Sequence, residues 1–288
     1  MKRRIISTTF STALFNKYPE KGDYIMKHLK EYNMNNVPRW EDFTKVFLVN
    51  FVRYLKSVKL SDNSIRTYCA YIKSVFNEYK EEHLLPTDNF AEVLNVKKVA
   101  TLNTYLTIDE IQKIIDYVPE NIREHTIRNQ FLLSCMTGMR LSDVRYLNPS
   151  YVVQNQIVYV AQKSQNVVKT VCSDIAKELI HEGKTKIYSK VTFNETIKQI
   201  CKKVGINQVV TVVQGGKTMT GEKHLFIRSH IGRISFATNM YHFLKDLYKV
   251  SKLMGHANIE MTANYIVGDN DDQQVIGYFD QFKLAASN

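Results

Sequence analysis

Hydrophobic residues recur every three or four positions through the N-terminal third of the chain, which is the spacing of amphipathic helices. Phe47, Phe51 and Leu55 follow one another at intervals of four, and Leu48 and Val52 fall beside them. An α-helix over this segment would turn these side chains toward one face and polar residues toward the other. The pattern therefore predicts an amphipathic helix that packs its apolar face into a core.

A second helix is predicted directly after it. Ser61 is suited to begin that helix, because a serine oxygen can accept an otherwise unpaired backbone N–H of the first turn. One face of the helix carries Ile65, Tyr68, Ile72, Val75, Phe76 and Tyr79. Arg66, Lys73 and Lys80 recur at intervals of seven and share another face. Such a row is either a solvated surface or a surface that contacts phosphates, and the pattern alone leaves both interpretations open.

The helical pattern is interrupted once before it resumes in a second region. The first helices are predicted to end near Pro86, and a polar segment follows. Thr107 can then begin a new helix, and Glu110 can complete a capping box with it. We therefore expect a helical domain at residues 1–95, a linker at 96–104 and a second domain at 105–288.

β-Branched residues predict a small amount of sheet in the second domain. Segments 157–161 and 167–171 flank a polar segment at 162–166, and together they predict a β-hairpin. Residues 209–213 predict another short strand, which ends before Gly215 and Gly216. The expected fold class is mainly α with a small β-sheet: a helical domain followed by an α+β domain.

The charge of the chain indicates the kind of partner it binds. Lys and Arg together number 39 against 28 Asp and Glu, which gives a formal net charge of +11. A basic chain suits a polyanion, because each neutralised phosphate releases counterions and strengthens binding. Charge alone does not separate nucleic-acid-binding proteins from other basic proteins.

Hydropathy and cysteine usage predict the compartment. No apolar run approaches the length of about 18 residues needed to span a bilayer, and the basic N-terminus lacks the apolar stretch of a signal peptide. The four cysteines form no Cys-x-x-Cys pair and lie among apolar neighbours. We expect them to be buried thiols in a reducing compartment, and the protein to be cytoplasmic.

Five short phrases carry six residues suited to phosphodiester chemistry. They are Thr137-Gly138-Met139-Arg140, Lys163-Ser164, His230-Ile231-Gly232-Arg233, Leu253-Met254-Gly255-His256 and Thr262-Ala263-Asn264-Tyr265. Two guanidinium groups can grip a phosphate with fixed geometry. Imidazoles and an ammonium can transfer protons, and a phenol can attack the phosphorus. One reaction, cleavage of a phosphodiester by a tyrosine, needs the whole set.

These motifs, in this order, resemble those of the tyrosine recombinases, the lambda integrase-like family of phage integrases. The likeness covers roughly residues 40–265. It implies a site-specific DNA recombinase that cuts and rejoins DNA through a 3′-phosphotyrosyl intermediate and a Holliday junction, without ATP. It also implies that the helical domain is a core DNA-binding domain and the second domain is catalytic.

The resemblance further implies partners and an assembly. The expected partner is double-stranded DNA at specific recombination sites, in a bacterial cell and close to its nucleoid. Four protomers would assemble on two paired sites, and off DNA the protein would be a monomer or weakly associated. DNA-bending proteins of the host are candidate accessory partners. The charged row of Arg66, Lys73 and Lys80 would then lie along DNA phosphates.

Roles for the catalytic residues also follow from the resemblance. Arg140 and Arg233 match the two arginines that bind the scissile phosphate, and Tyr265 matches the nucleophile. We expect His230 to take the proton of Tyr265, and His256 to hydrogen-bond the phosphate.

Two assignments leave alternatives. Lys163 matches the hairpin lysine that protonates the departing 5′-oxygen, and Lys169, across the same hairpin, is its alternative. Asp143 has the place of the acidic residue that follows the first arginine. It is expected to support the site by orienting His230 or Arg140, or else only to cap a helix.

No cofactor is expected. Gly215-Gly216-Lys217-Thr218 resembles the end of a P-loop, but Thr211 occupies a position where that motif requires glycine. The two arginines can supply the positive charge that a metal ion would otherwise provide, so no metal is expected either.

Two other functions remain open. A type IB topoisomerase-like DNA relaxase would share the catalytic residues but act as a monomer at many sites. A DNA-binding accessory factor would bind without cleaving, although the presence of all six chemical groups argues against it.

The segment after Tyr265 predicts a last helix. Asp271 and Asp272 lie at its expected start, where negative charge suits the helix dipole. Its apolar stripe consists of Val275, Ile276, Phe279 and Phe282. The stripe packs either on the chain's own catalytic domain or, as the resemblance favours, on a neighbouring protomer.

Overall fold

The computed structural model describes residues 8–81, 85–182 and 187–268. The chain divides into two compact units, the first comprising Met1–Thr101 and Val213–Lys217 and the second Leu102–Val212 and Thr218–Asn288. The helix predicted for the C-terminal tail lies outside the described residues. No helix within the described residues is long and apolar enough to cross a membrane.

The first unit is built from helices around an aromatic core. Its helices are α1 (Phe10–Lys17), α2 (Gly22–Tyr32), α3 (Lys45–Ser57), α4 (Asp62–Tyr79) and α5 (Phe90–Val93), with a 3-10 turn at Trp40–Asp42. The ring of Phe10 lies 4.5 Å from that of Phe43 and 5.4 Å from that of Trp40, and all three side chains are buried. Aromatic rings bury large apolar areas, so a few of them can fill a small core.

The predicted apolar face of one helix and the predicted N-cap of another are confirmed in this unit. On α3, Leu48, Phe51 and Leu55 are fully buried. On α4, the oxygen of Ser61 accepts the backbone N–H of Ser64 at 3.2 Å, as expected of an N-cap. The expectation that helices end near Pro86 was wrong in detail, because α5 follows it.

The second unit contains more helices and most of the sheet. Its helices are α6 (Ile108–Asp116), α7 (Ile122–Thr137), α8 (Leu141–Val144), α9 (Asp174–His181), α10 (Lys190–Lys203), α11 (Ser229–Leu244), α12 (Leu247–Met254) and α13 (Ile259–Ala263). Two 3-10 helices lie at Pro149–Tyr151 and Lys223–Phe226. The capping box predicted at the start of α6 is confirmed: Thr107 N–H donates to Glu110, and Glu110 N–H donates to Thr107.

The strands form two small antiparallel sheets. They are β1 (Val152–Val153), β2 (Gln156–Val160), β3 (Val167–Val171), β4 (Val209–Gln214) and β5 (Lys217–Glu222). Strands β1, β2 and β3 pair in that order, with Val158 opposite Lys169, and β4 pairs with β5. The predicted hairpin and the predicted strand at 209–213 are confirmed, as is the fold class, mainly α with small sheets. Strand β5 was not predicted, because its sequence is almost entirely polar.

Helix α7 runs through the centre of the second unit. It is buried on nearly every side, including polar residues such as Thr126 and Asn129. A helix buried all round lies inside a fold rather than on its surface. The four cysteines of the chain are buried and free, as predicted, and burial raises the pKa of the Cys201 thiol well above its usual range.

Candidate active site

The end of α7 fixes the position of Arg140. Gly138 ends the helix with a left-handed φ of +69°, a conformation that favours glycine. An added Cβ there would also lie 2.5 Å from the ring of Phe236. Both the backbone conformation and the close contact therefore favour glycine at this position. The chain then turns, and Arg140 stands at the N-terminus of α8 with its side chain half-buried. Among the described residues, its guanidinium makes no hydrogen bond.

Arg233 lies on α11 and is buried, with 1% of its surface exposed. Its Nη1 donates to the carbonyl oxygen of Gly138. Its Nη2 donates to the carbonyl oxygen of Met254 at 2.8 Å and to Nε2 of His256 at 2.7 Å. Arg233 therefore joins the end of α7, the end of α12 and a site histidine.

The charge of Arg233 has no counter-ion among the described residues, where no carboxylate lies within ion-pair distance of it. Burial lowers the pKa of Arg233, and the nearby charge of Arg140 lowers it further. Its Nε is buried and has no hydrogen-bond partner among the residues that the structure describes. A buried and uncompensated cation is unfavourable on its own. An anion that accepts from the free Nε would supply the missing charge and the missing hydrogen bond together.

His256 follows a second glycine turn. Gly255 ends α12 with φ +64°, where an added Cβ would collide with Val168 on β3. The imidazole of His256 is buried, and its Nδ1 lies 2.9 Å from Oγ1 of Thr262. Burial, followed by the charges of Arg233 and Arg140, lowers the pKa of His256 to about 4. The ring is therefore neutral near pH 7.

His230 lies in the first turn of α11 and is exposed. Partial desolvation of the ring by neighbouring groups, followed by the charges of Arg233 and Arg140, lowers the pKa of His230 to about 4. Lys190 and Lys163 contribute to the same shift. A neutral imidazole can accept a proton, so His230 has the protonation state of a general base.

Tyr265 directly follows α13 and is half-buried. Its ring centroid lies 5.0 Å from that of His256, 5.2 Å from that of His230 and 5.6 Å from Cζ of Arg233. The carbonyl oxygen of Tyr265 accepts from Oγ1 of Thr238 at 3.1 Å, which fixes the backbone at this position. The structure thus brings the phenol together with three of the predicted site residues.

Lys163 lies in the exposed turn between β2 and β3. Its charge is among those that lower the pKa of His230, so the turn presents it toward the same site. Lys169, the alternative, is an exposed residue of β3 opposite Val158.

The carboxylate of Asp143 makes a different contact from those expected. Its carboxylate is buried, and Oδ1 accepts the backbone N–H of Gln162 at 3.0 Å. Its Oδ2 has no hydrogen-bond partner among the described residues, so in this structure the carboxylate orients neither His230 nor Arg140. Nor does it cap a helix, because it lies within α8. The carboxylate instead anchors the backbone next to Lys163.

The predicted DNA-contact row lies on α4 and its C-cap, in the first unit. Arg66 and Lys80 are exposed, whereas Lys73 is partly buried and donates to the carbonyl oxygen of Ala91 at 3.2 Å. Lys73 therefore also connects α4 to α5, which the seven-residue spacing could not reveal.

Two contributors to the site were missed by the sequence analysis. Thr262 opens the phrase that ends in Tyr265, but its buried contact to His256 depends on the fold. Lys190, at the start of α10, affects His230 from a distant part of the sequence. Within the described residues, no group of three or more His, Cys, Asp or Glu could hold a metal ion.

Comparisons with known proteins identify the family of the chain. Residues 104–271 match the phage integrase family, and residues 15–99 match the phage integrase SAM-like domain. The chain therefore belongs to the phage integrase family, the lambda integrase-like tyrosine recombinases that its motifs predicted.

Individual relatives are more distant. Tyrosine recombinase XerC of Herpetosiphon aurantiacus is 23% identical over 248 residues, which cover 82% of this chain and 79% of that protein. Tyrosine recombinase XerA of Pyrococcus horikoshii is 28% identical over 219 residues, covering 74% and 73%.

Solved structures show the same fold. The Tn1549 transposon integrase, in complex with transposon right end DNA, aligns with a TM-score of 0.65 at 14% identity and covers 94% of this chain and 99% of that one. A lambda integrase dimer bound to a COC' core site aligns with a TM-score of 0.60 at 18% identity, covering 85% and 88%.

Proposed function

We propose that this chain is a site-specific DNA recombinase that cleaves and rejoins DNA through a phosphotyrosyl bond at Tyr265. The observation that carries the proposal is the buried guanidinium of Arg233, which has no carboxylate partner among the described residues and lies 5.6 Å from the ring of Tyr265. A structural arginine in a core is normally paired. An unpaired one beside a candidate nucleophile suits a site that binds a phosphodiester.

The two arginines stabilise the charge that develops on the nonbridging oxygens during attack. Arg233 offers its unpartnered Nε–H, already held in place by hydrogen bonds to Gly138, Met254 and His256. Arg140, whose guanidinium is free of hydrogen bonds within the described residues, approaches the phosphate from the α7–α8 turn. A preorganised donor of this kind contributes about 3 kcal/mol to transition-state stabilisation.

His230 removes the proton of the attacking phenol. Its ring lies 5.2 Å from that of Tyr265, and its lowered pKa keeps it in the accepting form. The phenolic oxygen bonds to phosphorus as the bond to the 5′-oxygen breaks, and the DNA becomes attached through its 3′-phosphate. A 5′-hydroxyl of the partner strand later reverses the step, so bond energy is conserved and ATP is not needed.

Lys163 delivers a proton to the departing 5′-oxygen. The turn that carries it is anchored by the contact from Asp143 to the backbone of Gln162. Asp143 acts in this scheme as a positioning residue for Lys163. His256 supports the same phosphate from the side of Arg233.

The partner in this proposal is duplex DNA. The charge of +11 suits it, and the Tn1549 and lambda integrase structures each contain DNA. The first unit would act as the core DNA-binding domain, with residues 96–104 as linker and 105–288 as catalytic domain. The separate family matches at 15–99 and 104–271 support that division. Recombination would require four protomers on two paired sites, with each Tyr265 acting in the site of its own chain.

A nicked suicide substrate tests the proposal. Cleavage close to the nick releases a short oligonucleotide, so religation is prevented and the covalent complex accumulates. Wild-type protein should form the complex, and Tyr265→Phe should bind the DNA without forming it, because only the nucleophilic oxygen is removed. Tyr248→Phe, at an exposed tyrosine of α12, is the matched control and should react normally.

Trapping on the nicked substrate and relaxation of supercoiled DNA together separate the alternatives. A wild-type chain that binds but never becomes covalently attached would be an accessory factor. A chain that relaxes supercoiled DNA at many sites as a monomer, without exchange between paired sites, would be a topoisomerase-like relaxase.

A further inference from the structure

Thr262 lies at the end of a chain of hydrogen bonds inside the site. Its side chain is fully buried on α13, three residues before Tyr265. Oγ1 of Thr262 lies 2.9 Å from Nδ1 of His256, and Nε2 of His256 lies 2.7 Å from Nη2 of Arg233. Thr262 is thus connected to the phosphate-binding arginine through one imidazole ring.

The direction of each hydrogen bond follows from the guanidinium, which has only donors. Nη2 of Arg233 carries two hydrogens, and it gives one to the carbonyl oxygen of Met254 and the other to His256. Nε2 of His256 must therefore be the unprotonated nitrogen, and Nδ1 carries the hydrogen. The hydroxyl oxygen of Thr262 accepts that hydrogen.

We propose that Thr262 is a positioning residue for DNA cleavage: it accepts the Nδ1 hydrogen of His256 and keeps Nε2 directed toward Arg233 and the phosphate. The inference rests on the proposed function. The contact suits both protonation states of His256, because Nδ1 carries a hydrogen in each. Thr262 therefore holds the ring still while Nε2 changes from an acceptor for Arg233 to a donor for the phosphate.

The charges around His256 explain why such a change accompanies DNA binding. Arg233, Arg140 and His230 face the ring, and the ring of Tyr265 packs 5.0 Å away. Without DNA, burial and these charges keep the pKa of His256 at about 4. A phosphate held by the arginines would oppose their charge and raise that pKa. The protonated Nε2 would then donate to the phosphate. The N–H of Arg233 Nη2 that had donated to Nε2 would be free to donate to the phosphate as well.

Three variants test the role of the hydroxyl. Thr262→Val keeps a similar shape but removes the acceptor, and Thr262→Ser keeps the acceptor. Thr196→Val is the control, because Thr196 is also buried but lies on α10, outside the site. Thermal unfolding establishes that each variant is folded.

The first measurement uses nitrogen-15 NMR of the His256 ring in the DNA-free protein. Wild type, Thr262→Ser and Thr196→Val should show the single tautomer with hydrogen on Nδ1. Thr262→Val should show a mixture, because its Nδ1 hydrogen has lost its acceptor and the ring is free to turn away from Arg233. A wild-type ring with its hydrogen on Nε2 would overturn the proposal. This measurement does not depend on catalysis.

The second measurement is single-turnover cleavage of the nicked substrate. Thr262→Val should cleave roughly tenfold more slowly, by analogy with the loss of other partners that orient a functional histidine, and its DNA affinity should change little. Thr262→Ser should restore the rate. A Thr262→Val rate equal to that of Thr196→Val would overturn the proposal. If the wild-type chain formed no covalent complex, the proposed function would fail instead, and the tautomer would remain the test of Thr262.

Discussion

Replacing Asp143 should impair cleavage through a residue that Asp143 does not touch directly. Its buried Oδ1 accepts the backbone N–H of Gln162 at 3.0 Å, and Gln162 immediately precedes Lys163. Asp143→Ala removes this anchor from the turn that carries the proposed general acid. We therefore expect the variant to bind DNA normally but to lose much of the proton transfer to the 5′-oxygen.

The hydrogen bond sets the size of the effect. A hydrogen bond to a charged group contributes about 1.5–3 kcal/mol. If the whole free energy of this hydrogen bond serves to hold the turn in place, its loss slows cleavage by roughly 10- to 150-fold, since about 1.4 kcal/mol corresponds to a factor of ten. Loss of Lys163 itself sets the upper limit, because general-acid catalysis contributes about 10²- to 10⁴-fold. Asp143→Asn keeps a carbonyl oxygen for Gln162, so it should be slowed less than Asp143→Ala.

The assay compares two nicked duplexes that carry either oxygen or sulfur at the 5′-bridging position. A sulfur leaving group needs no proton, so it should restore Asp143→Ala and Lys163→Ala toward the wild-type rate. Lys169→Ala should be near wild type with oxygen, and Asp174→Asn, at an exposed acid of α9, controls for loss of negative charge. If Asp143→Ala were equally slow on both substrates, the carboxylate would not act through Lys163. Rescue of Lys169→Ala in place of Lys163→Ala would reverse the lysine assignment.

Three further predictions follow from the same geometry. Arg140→Ala should cleave DNA about a hundredfold more slowly, as measured by single-turnover kinetics. Its stability in urea unfolding should be nearly unchanged, because the Arg140 guanidinium makes no hydrogen bond among the described residues. The pKa values of His230 and His256 lie at about 4, below the ordinary 6.5, so the unfolded chain binds more protons between these values. The stability that the two histidines contribute is therefore present above pH 6.5 and is lost as the pH falls toward 4. In urea unfolding across this range, a variant with either histidine replaced by glutamine should lose less free energy of unfolding than the wild type. Gly255→Ala should destabilise the fold by more than the cost of about 1–2 kcal/mol for a left-handed residue, whereas Gly205→Ala, with open space around it, should show only that cost.

Much of the fold was predictable because local patterns and tertiary packing agree. The stripe on α3, the N-cap at Ser61 and the capping box at Thr107 all use signals that lie within a few residues of one another. The glycine turns after α7 and α12 belong to the phrases that carry Arg140 and His256. Short-range signals therefore predicted helices α3, α4 and α6 and the turns from which Arg140 and His256 emerge.

The missed features depend on contacts between distant parts of the sequence. Strand β5 has a polar sequence, and it was recognised only through its pairing with β4. Asp143 was expected to orient His230 or Arg140 or to cap a helix, but its carboxylate accepts from the backbone of Gln162, which carries no side-chain signal. The contact of Thr262 with His256 likewise exists only once α12 and α13 are packed together. The sequence therefore predicts candidate site residues but not the contacts by which they orient one another.

The central claim is that Tyr265 becomes covalently joined to a DNA 3′-phosphate, and mass spectrometry of the trapped complex tests it most directly. Digestion with nuclease and trypsin should leave a nucleotide on the peptide 253–283, which contains both Tyr265 and Tyr278. Fragmentation should place the nucleotide on Tyr265, linked through its 3′-phosphate. A nucleotide on Tyr278, on any other residue, or attached through a 5′-phosphate would contradict the account.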